Sequence, residues 1–195
     1  MQEYFIIMDI NQEIINAYEI IKNGGIILYP TDTVWGIGCD ATNSEAVDKV
    51  YKLKQREETK SMICLMNGEK MMYNVFKDIP EVAWQIMDIS EKPTTLILDN
   101  PRNVAPNLIA PDKTLGIRIV KEPFCFKLLE RMKKPLVSTS ANITGQPTPI
   151  AFKDISPEIL KGVDYVVNLY QDKIGGKPST IIKLTSDSQV SIIRK

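Results

Sequence analysis

Residues 29–38 read Tyr-Pro-Thr-Asp-Thr-Val-Trp-Gly-Ile-Gly, at the end of an apolar run over residues 25–29. Two threonine hydroxyls, a carboxylate and two glycines suit a loop in which a polar ligand approaches the backbone closely. The same residues also fit a plain hairpin, or a strand-to-helix connection in which Thr caps and Gly turns. These residues alone do not distinguish the two alternatives, so the neighbouring segments of the chain are needed to interpret them.

Upstream of the stretch, the pattern predicts a helix followed by a buried strand. Apolar residues recur at helical spacing after Asn11, which is a good N-cap, and Gly24 and Gly25 supply a stop. Residues 25–29 then have the continuous apolar character of a buried strand.

Downstream of the stretch, the pattern predicts a helix followed by another strand. Thr42 and Glu45 have the spacing of a capping box, and apolar residues line one face as far as about Glu57. The apolar run over residues 62–66 predicts a second strand. Strands alternating with helices are typical of an α/β protein.

The rest of the chain continues this alternation, without repeats or breaks in composition. We therefore predict one α/β domain over residues 1–195. Its large apolar residues between 71 and 87 are interpreted as core: Met71, Met72, Phe76, Trp84 and Met87. The further predicted elements are two helices within 69–89, the second starting at Pro80; strands over 94–98 and 114–120; a helix over 123–132; a strand from 136; a short helix after Ser156; and strands over 165–169, 179–184 and 190–193.

The composition narrows the classes of function. The 24 basic and 24 acidic residues cancel, so no overall positive field attracts nucleic acid or an anionic membrane. No apolar run reaches the roughly 18 residues that span a bilayer, and residues 1–5 lack the features of a signal peptide. We expect a cytoplasmic protein.

The absence of histidine restricts the chemistry further. It excludes the Ser-His, Cys-His and imidazole–zinc sites of the usual kinds. Cys39, Cys64 and Cys125 are odd in number and far apart, which predicts buried, reduced thiols rather than disulfides or a metal site. Catalysis would rely on Lys, Arg, hydroxyls, carboxylates, backbone amides or a bound metal ion.

The helix after the stretch ends in basic residues that could hold phosphate. Lys54 and Arg56 stand two apart where the helix frays, so both can turn toward one ligand, and Lys60 follows. Positive charge near a helix C-terminus also stabilises the helix itself, and this alternative stays open.

Two later segments and two arginines are also candidates. Residues 138–145, Ser-Thr-Ser-Ala-Asn-Ile-Thr-Gly, can form an anion-binding nest or a simple turn, and residues 175–180 again place glycines before hydroxyls. Arg118 interrupts an apolar strand, where it either faces solvent or meets a carboxylate or phosphate within a site. Arg194 follows two apolar residues, and the same two alternatives, exposure to solvent or a contact within a site, apply to it.

Taken in order, these pieces resemble the YrdC-type threonylcarbamoyl-AMP synthase family over nearly the full chain. The resemblance rests on the stretch 29–38, Lys54-x-Arg56, Leu-Gly-Ile-Arg118, Ser140-x-Asn142 and Pro-Ser179-Thr, and it is to the short form without an additional carboxy-terminal domain. It implies an open, twisted mixed sheet with helices and a concave cavity. The implied reaction makes threonylcarbamoyl-adenylate and pyrophosphate from threonine, bicarbonate and ATP with Mg²⁺, for threonylcarbamoyladenosine modification of tRNA.

The resemblance also implies roles for individual residues. Lys54 and Arg56 would act on the phosphates, and Asp32 is the one candidate near the site for coordinating metal or water. The implied ATP-binding residues are Arg56, Lys60, Ser140, Asn142, Thr148 and Arg194, and the implied threonine-binding residues are Thr33, Arg118 and Ser179.

This sequence departs from the family pattern at three positions. Trp35 replaces the usual Tyr, Ser61 the usual Pro, and Leu65 a His that many members have. Two other readings therefore stay open: a module that binds double-stranded RNA or tRNA, and a diverged paralogue without synthase activity. A function on sugar phosphates would rest on fold analogy alone.

Overall fold

The computed structural model describes residues 2–57, 62–185 and 189–195, and within them nine strands form one mixed sheet. The spatial order of the strands is β7-β1-β2-β6-β3-β5-β4-β8-β9. Three pairs are parallel, β1 with β7, β3 with β5 and β4 with β8, and the others are antiparallel. The strands are β1 Ile27–Tyr29, β2 Gly36–Gly38, β3 Ile63–Met66, β4 Thr94–Asp99, β5 Thr114–Ile119, β6 Leu136–Ser140, β7 Tyr165–Val166, β8 Thr180–Leu184 and β9 Val190–Arg194.

Six α-helices accompany the sheet in the described part of the chain, and the mixed α/β class predicted from the sequence is confirmed. Several begin as the sequence predicts, with Pro at the first helical position after a side-chain cap: Glu122 accepts from Cys125 N, and Ser156 accepts from Ile159 N. No described helix is both long and apolar enough to cross a bilayer. The helices are α1 Gln2–Lys22, α2 Ser44–Leu53, α3 Glu69–Val75, α4 Glu81–Ile89, α5 Pro123–Met132 and α6 Pro157–Gly162.

The bounds of the first two helices correct the sequence prediction. Helix α1 begins at Gln2, so Asn11 lies inside it rather than capping it. Helix α2 is capped by Asn43, whose Oδ1 accepts from Ala46 N, because the Thr42 hydroxyl instead donates to Asp40 Oδ1 at 2.7 Å. It ends at Leu53 rather than near Glu57, since Gln55 adopts a left-handed φ of 50°.

Residues 27–38 form a hairpin. Strands β1 and β2 pair in antiparallel register, with Tyr29 opposite Gly36 and Ile27 opposite Gly38, and residues 30–35 form its tip. A Cβ at Gly38 would lie 2.3 Å from the Val137 carbonyl oxygen, so only glycine lets β2 approach β6 this closely. The tip is thus anchored in the middle of the sheet.

Apolar side chains from both helices and strands fill the core. Met71, Met72 and Phe76 are buried as predicted, whereas Trp84 and Met87 are half-buried against the core. The three cysteines are buried free thiols, and burial raises the pKa of Cys64 to about 12. The predicted burial of the three cysteines is confirmed.

The connection from β7 to β8 joins nearly opposite ends of the sheet. We call residues 167–179 the crossing segment. Gly176 N donates to Thr33 O at 2.6 Å, and Gly175 N donates to Ile150 O at 2.7 Å. The crossing segment therefore fastens the hairpin tip.

Candidate active site

A cavity of about 240 Å³ lies between the hairpin tip, the start of β3, and side chains of β4, β5, β6, β8 and β9. Most of the residues predicted from the sequence to bind substrates meet on its wall. Those residues are Thr33, Arg56, Arg118, Ser140, Thr148, Ser179 and Arg194. Lys54, Asn142 and Asp32 lie behind the wall, and Lys60 is outside the described residues.

The hairpin tip presents Thr33 to the cavity through a local hydrogen-bond network. Thr31 Oγ1 donates to Val34 O at 2.7 Å and accepts from Thr33 N at 3.0 Å. The two threonine hydroxyls lie 3.0 Å apart. Thr31 was not predicted as a site residue, although its hydroxyl holds the turn that carries Thr33.

Arg118 reaches the cavity from the middle of β5 with a buried side chain, 4% exposed. Its Nη2 lies 2.9 Å from Asp32 Oδ1 in an ion pair, and its Nε has no hydrogen-bond partner among the described residues. Burial raises the pKa of Asp32, and the positive charge of Arg118 opposes that shift. The sequence left two alternatives open for Arg118, and in the structure its side chain lies on the cavity wall beside the Asp32 carboxylate.

Ser179 and Arg194 are joined on the opposite wall, together with a residue that the sequence analysis missed. Arg194 donates to the Ser179 carbonyl through Nε at 3.0 Å and Nη2 at 2.8 Å. Ser179 Oγ lies 2.8 Å from the buried hydroxyl of Thr95. Burial and the neighbouring charge of Arg118 lower the pKa of Arg194.

Lys54 points into the protein rather than onto the cavity wall. Its buried ammonium donates to the carbonyl oxygens of Ser140 at 2.5 Å and Asn142 at 2.6 Å. Burial, helped by the charge of Arg56, lowers its pKa to about 8. In this structure Lys54 holds the loop that follows β6 and does not line the cavity.

Asn142 also organises the loop that follows β6. Its Nδ2 donates to Gln146 O at 2.8 Å and to Ile143 O at 3.0 Å, while its Oδ1 accepts from Ser140 Oγ at 2.5 Å. The Ser140 hydroxyl thereby acquires a fixed position on the cavity wall. Asn142 itself is not among the residues that line the cavity.

Arg56 is the basic residue that enters the cavity from the end of α2. The left-handed Gln55 reverses the chain, and Arg56 N closes the turn by donating to Tyr51 O at 3.0 Å. Partial burial lowers the pKa of the Arg56 guanidinium. An arginine remains charged at neutral pH in any case.

The three departures from the family pattern fall in different places. Trp35 is buried and packs against Phe152, with ring centroids 4.9 Å apart, so it still forms an aromatic wall. Leu65 is fully buried in β3 and does not line the cavity. Ser61 is outside the described residues.

The described lining of the cavity is positively charged. It contains Arg56, Arg118 and Arg194 but no carboxylate. The described residues also contain no cluster of three or more His, Cys, Asp or Glu that could hold a metal ion, and the Asp32 carboxylate is paired with Arg118. Such a wall suits anionic ligands.

Comparison with known proteins yields one family. The Sua5_yciO_yrdC family model, described as Telomere recombination, matches residues 19–195. A Methanocaldococcus jannaschii protein assigned as a threonylcarbamoyl-AMP synthase is 38% identical over 174 residues, which are 88% of this chain and 80% of that protein.

Two solved structures share the fold. E. coli YciO, an uncharacterised protein, superposes with a TM-score of 0.81 at 27% identity, over 93% of this chain and 88% of that chain. P. abyssi Sua5 complexed with L-threonine superposes with a TM-score of 0.77 at 25% identity, over 88% of this chain. The match covers 50% of that Sua5 chain, so the present chain spans about half of its length.

Proposed function

The chain belongs to the Sua5/YciO/YrdC family, and we propose that it is a threonylcarbamoyl-AMP synthase. The enzyme would make threonylcarbamoyl-adenylate and pyrophosphate from threonine, bicarbonate and ATP. The observation that carries the proposal is the cavity wall, on which Arg56, Arg118 and Arg194 meet several hydroxyls without an intervening carboxylate. All three substrates carry negative charge, and such a wall would hold them together.

Threonine binds, in this proposal, between the hairpin tip and β5. Arg118 pairs with its carboxylate, since a guanidinium matches a carboxylate in charge and geometry. Thr33 and Ser179 line the same cavity as Arg118 and offer hydroxyls for the polar groups of threonine. The L-threonine complex of P. abyssi Sua5 supports threonine as the amino acid.

ATP binds on the side of the cavity that carries Arg56. Arg56 and Arg194 neutralise the phosphates, and Ser140 and Thr148 donate hydrogen bonds to them. Lys54 and Asn142 contribute by holding the loop of Ser140 rather than by touching the nucleotide. Lys60 stays a prediction from the sequence for a further phosphate contact.

The reaction itself needs little from the protein beyond position and charge. The threonine amine attacks the carbon of bicarbonate, and loss of water leaves a carbamate. A carbamate oxygen then attacks the α-phosphorus of ATP in line with the leaving pyrophosphate. Arginines and hydroxyls that face the phosphates stabilise the charge that develops, which is consistent with the absence of histidine.

Among the described residues near the cavity, no group of carboxylates forms a binding site for Mg²⁺. Protein-held Mg²⁺ usually takes one or two carboxylates, and the nearest candidate, Asp32, is committed to Arg118. We therefore treat Mg²⁺ as part of the ATP substrate, bound through the phosphate oxygens. Asp32 is not retained as a metal ligand.

The proposed product is an activated intermediate for the modification of tRNA. An acyl-adenylate is labile and transfers its acyl group readily, so the class of reaction that consumes it is threonylcarbamoyl transfer to an adenosine of tRNA. A cytoplasmic location belongs to the same proposal, since it would place the enzyme with its RNA acceptor.

The direct test is synthesis from purified components. The protein is incubated with ATP, Mg²⁺, bicarbonate and L-threonine, and both pyrophosphate and the adenylate are measured, the latter by mass spectrometry with serine as the competing amino acid. We expect pyrophosphate release to require threonine and bicarbonate together, with threonine preferred over serine. Pyrophosphate release at the same rate without either substrate would contradict the proposal.

A diverged paralogue without synthase activity is the second candidate. It is favoured by the similarity to E. coli YciO, an uncharacterised protein that is 29% identical over 198 residues. In that case the protein would bind a nucleotide or an amino acid in the same cavity, and no adenylate would form in the assay above.

A further inference from the structure

We propose that Asp32 is a positioning residue for amino-acid recognition, because its carboxylate holds the Arg118 guanidinium in place from outside the substrate cavity. The inference rests on the proposed function, since it takes the carboxylate of the amino acid as the ligand of Arg118. It assigns to Asp32 a role that differs from the metal or water coordination expected from the sequence.

Arg118 needs a partner because of where it lies. Its side chain is 4% exposed, on a central strand with the apolar neighbours Ile117 and Ile119. A buried guanidinium without a partner is strongly unfavourable, and it would move toward the nearest acceptor or toward solvent. Among the described residues, Asp32 is the carboxylate within ion-pair distance, 2.9 Å from Nη2.

The pair uses only part of the guanidinium. Arg118 Nε is buried and has no hydrogen-bond partner among the described residues, so the arginine has donor capacity left for a ligand. Arginine presents five N–H donors. Asp32 Oδ1 lies 2.9 Å from Nη2 in an ion pair but makes no hydrogen bond to a described residue, so this oxygen does not use up the donors. A carboxylate bound in the cavity would accept hydrogen bonds from the N–H groups of Arg118 that have no partner.

Asp32 does not line the proposed substrate cavity, although its partner Arg118 does. It lines two neighbouring cavities, of about 380 and 350 Å³, but not the cavity that holds the predicted substrate residues. Asp32 therefore does not compete with the substrate carboxylate from within the site. It acts through Arg118.

The backbone around Asp32 is fixed, which is what a positioning role requires. Thr31 Oγ1 accepts from Thr33 N and donates to Val34 O, closing the turn in which Asp32 lies. Gly176 N fastens the next residue by donating to Thr33 O at 2.6 Å. The same tip thus sets Thr33 on the cavity wall and Asp32 behind it.

The experiment compares Asp32→Asn with the wild-type protein. Asp112→Asn is the matched control, since it breaks another Asp ion pair, with Lys183 at 2.7 Å, at the exposed rim of the sheet. The threonine dissociation constant is measured by calorimetry, and the KM values for threonine and ATP are measured by pyrophosphate release. Melting temperatures are recorded for each variant.

We expect Asp32→Asn to weaken threonine binding and raise the threonine KM by about tenfold or more, which is the scale of one charge-assisted contact. The ATP KM and kcat should change by less than about threefold, and Asp112→Asn should match the wild type. L-Threoninamide, which lacks the carboxylate, should bind Asp32→Asn and the wild type equally weakly. A merely structural ion pair would not distinguish these two ligands.

The outcomes separate the inference from the proposed function. If the wild type makes the adenylate and Asp32→Asn keeps the wild-type threonine KM, the inference is overturned and the proposed function stands. If the wild type neither binds threonine nor makes the adenylate, both are overturned. If Asp32→Asn does not fold, Asp32→Ser removes the same charge with a smaller side chain, and an unchanged threonine affinity in that variant also overturns the inference.

Discussion

Lys54 and Arg56 are two positions apart, yet they serve different parts of the molecule. The left-handed backbone of Gln55 separates them, so Arg56 enters the cavity while the Lys54 ammonium stays beneath the loop of Ser140 and Asn142. Replacing the two residues should therefore have different consequences.

Replacement of Arg56 by Ala should abolish adenylate formation without unfolding the protein. The side chain contributes charge to the cavity wall, and losing one preorganised donor to a phosphate lowers kcat by about 100-fold or more. Arg102→Ala is the control, because Arg102 is exposed and donates to the Tyr73 carbonyl away from the cavity. Pyrophosphate release at the wild-type rate in Arg56→Ala, with threonine and bicarbonate present, would show that the residue has no such role.

Lys54 should make the activity sensitive to alkaline pH. Its pKa is lowered to about 8, so the ammonium loses its proton as pH rises through that value, and its hold on the two carbonyl oxygens weakens. We expect kcat/KM to fall above about pH 8. Lys54→Arg keeps its charge and should move the fall to higher pH, and an unchanged profile in that variant would assign the fall to another group.

The lowered pKa of Lys54 affects the stability of the fold in the direction opposite to its effect on activity: rising pH lowers the activity but raises the stability. A lowered lysine pKa means that the unfolded chain holds the proton more tightly than the folded one. The charged Lys54 is therefore destabilising below pH 8, and this penalty is relieved as pH rises from about 8 toward its ordinary value of 10.5. Denaturant titrations of the wild type and Lys54→Met, compared at pH 7 and pH 9, should show the wild type gaining relative to the variant.

Individual site residues differed in how well the sequence predicted them. Arg118 could be selected because a charge interrupts an apolar strand pattern. Thr95 could not be selected, since threonine is an ordinary strand residue and its contact with Ser179 spans 84 positions in the chain. Phe152, which packs on Trp35, was missed for the same reason.

At the level of elements, the hairpin tip depends on the crossing segment. Gly175 and Gly176 lie against residues 32–34, and Gly176 N donates to Thr33 O. These two glycines differ in the space around them, and they offer a paired test of how closely the two segments must pack.

Gly175→Ala should lift the crossing segment from the tip, whereas Gly176→Ala should be tolerated. A Cβ at Gly175 would lie 2.9 Å from Ile150 O and 3.1 Å from Thr33 O, both of them backbone atoms. A Cβ at Gly176 would come no closer than 3.5 Å. We expect Gly175→Ala to reduce stability by about 1–3 kcal/mol and to raise the threonine KM; equal behaviour of the two variants by thermal melting and kinetics would contradict this.

The sequence predicted those elements that local patterns specify and missed those that depend on distant partners. Strands β4 and β5 and helix α5 lie close to their predicted bounds, because their apolar spacing and caps are local. Strand β2 is only Gly36–Gly38 and carries little strand propensity of its own. It forms because Gly38 allows close contact with Val137 from a strand 100 positions away.

At the level of the whole molecule, the charge balance argues against the reading as an RNA-binding module. The formal net charge is zero, and three arginines, Arg56, Arg118 and Arg194, lie on the cavity wall. Affinity for nucleic acid without sequence preference depends on many phosphate contacts.

We therefore expect no salt-sensitive complex with tRNA near physiological ionic strength. Electrophoretic mobility shifts, repeated at low and high salt, check this. A tRNA complex that weakens steeply as salt rises, in a protein that releases no pyrophosphate, would instead favour the RNA-binding reading.

The pairing of β1 with β7 has a consequence for biosynthesis. Ile27 pairs with Tyr165, and Gly176 N donates to Thr33 O, so these two partners of the hairpin are translated about 140 residues after it. At about 5–20 residues per second, the ribosome needs roughly 7–28 s to supply them. A chain that ends at residue 160 lacks β7, Gly176 and Ser179, so it should leave the edge of β1 open and should bind no threonine. Threonine binding should appear only after Ser179, the proposed threonine contact, has also been translated.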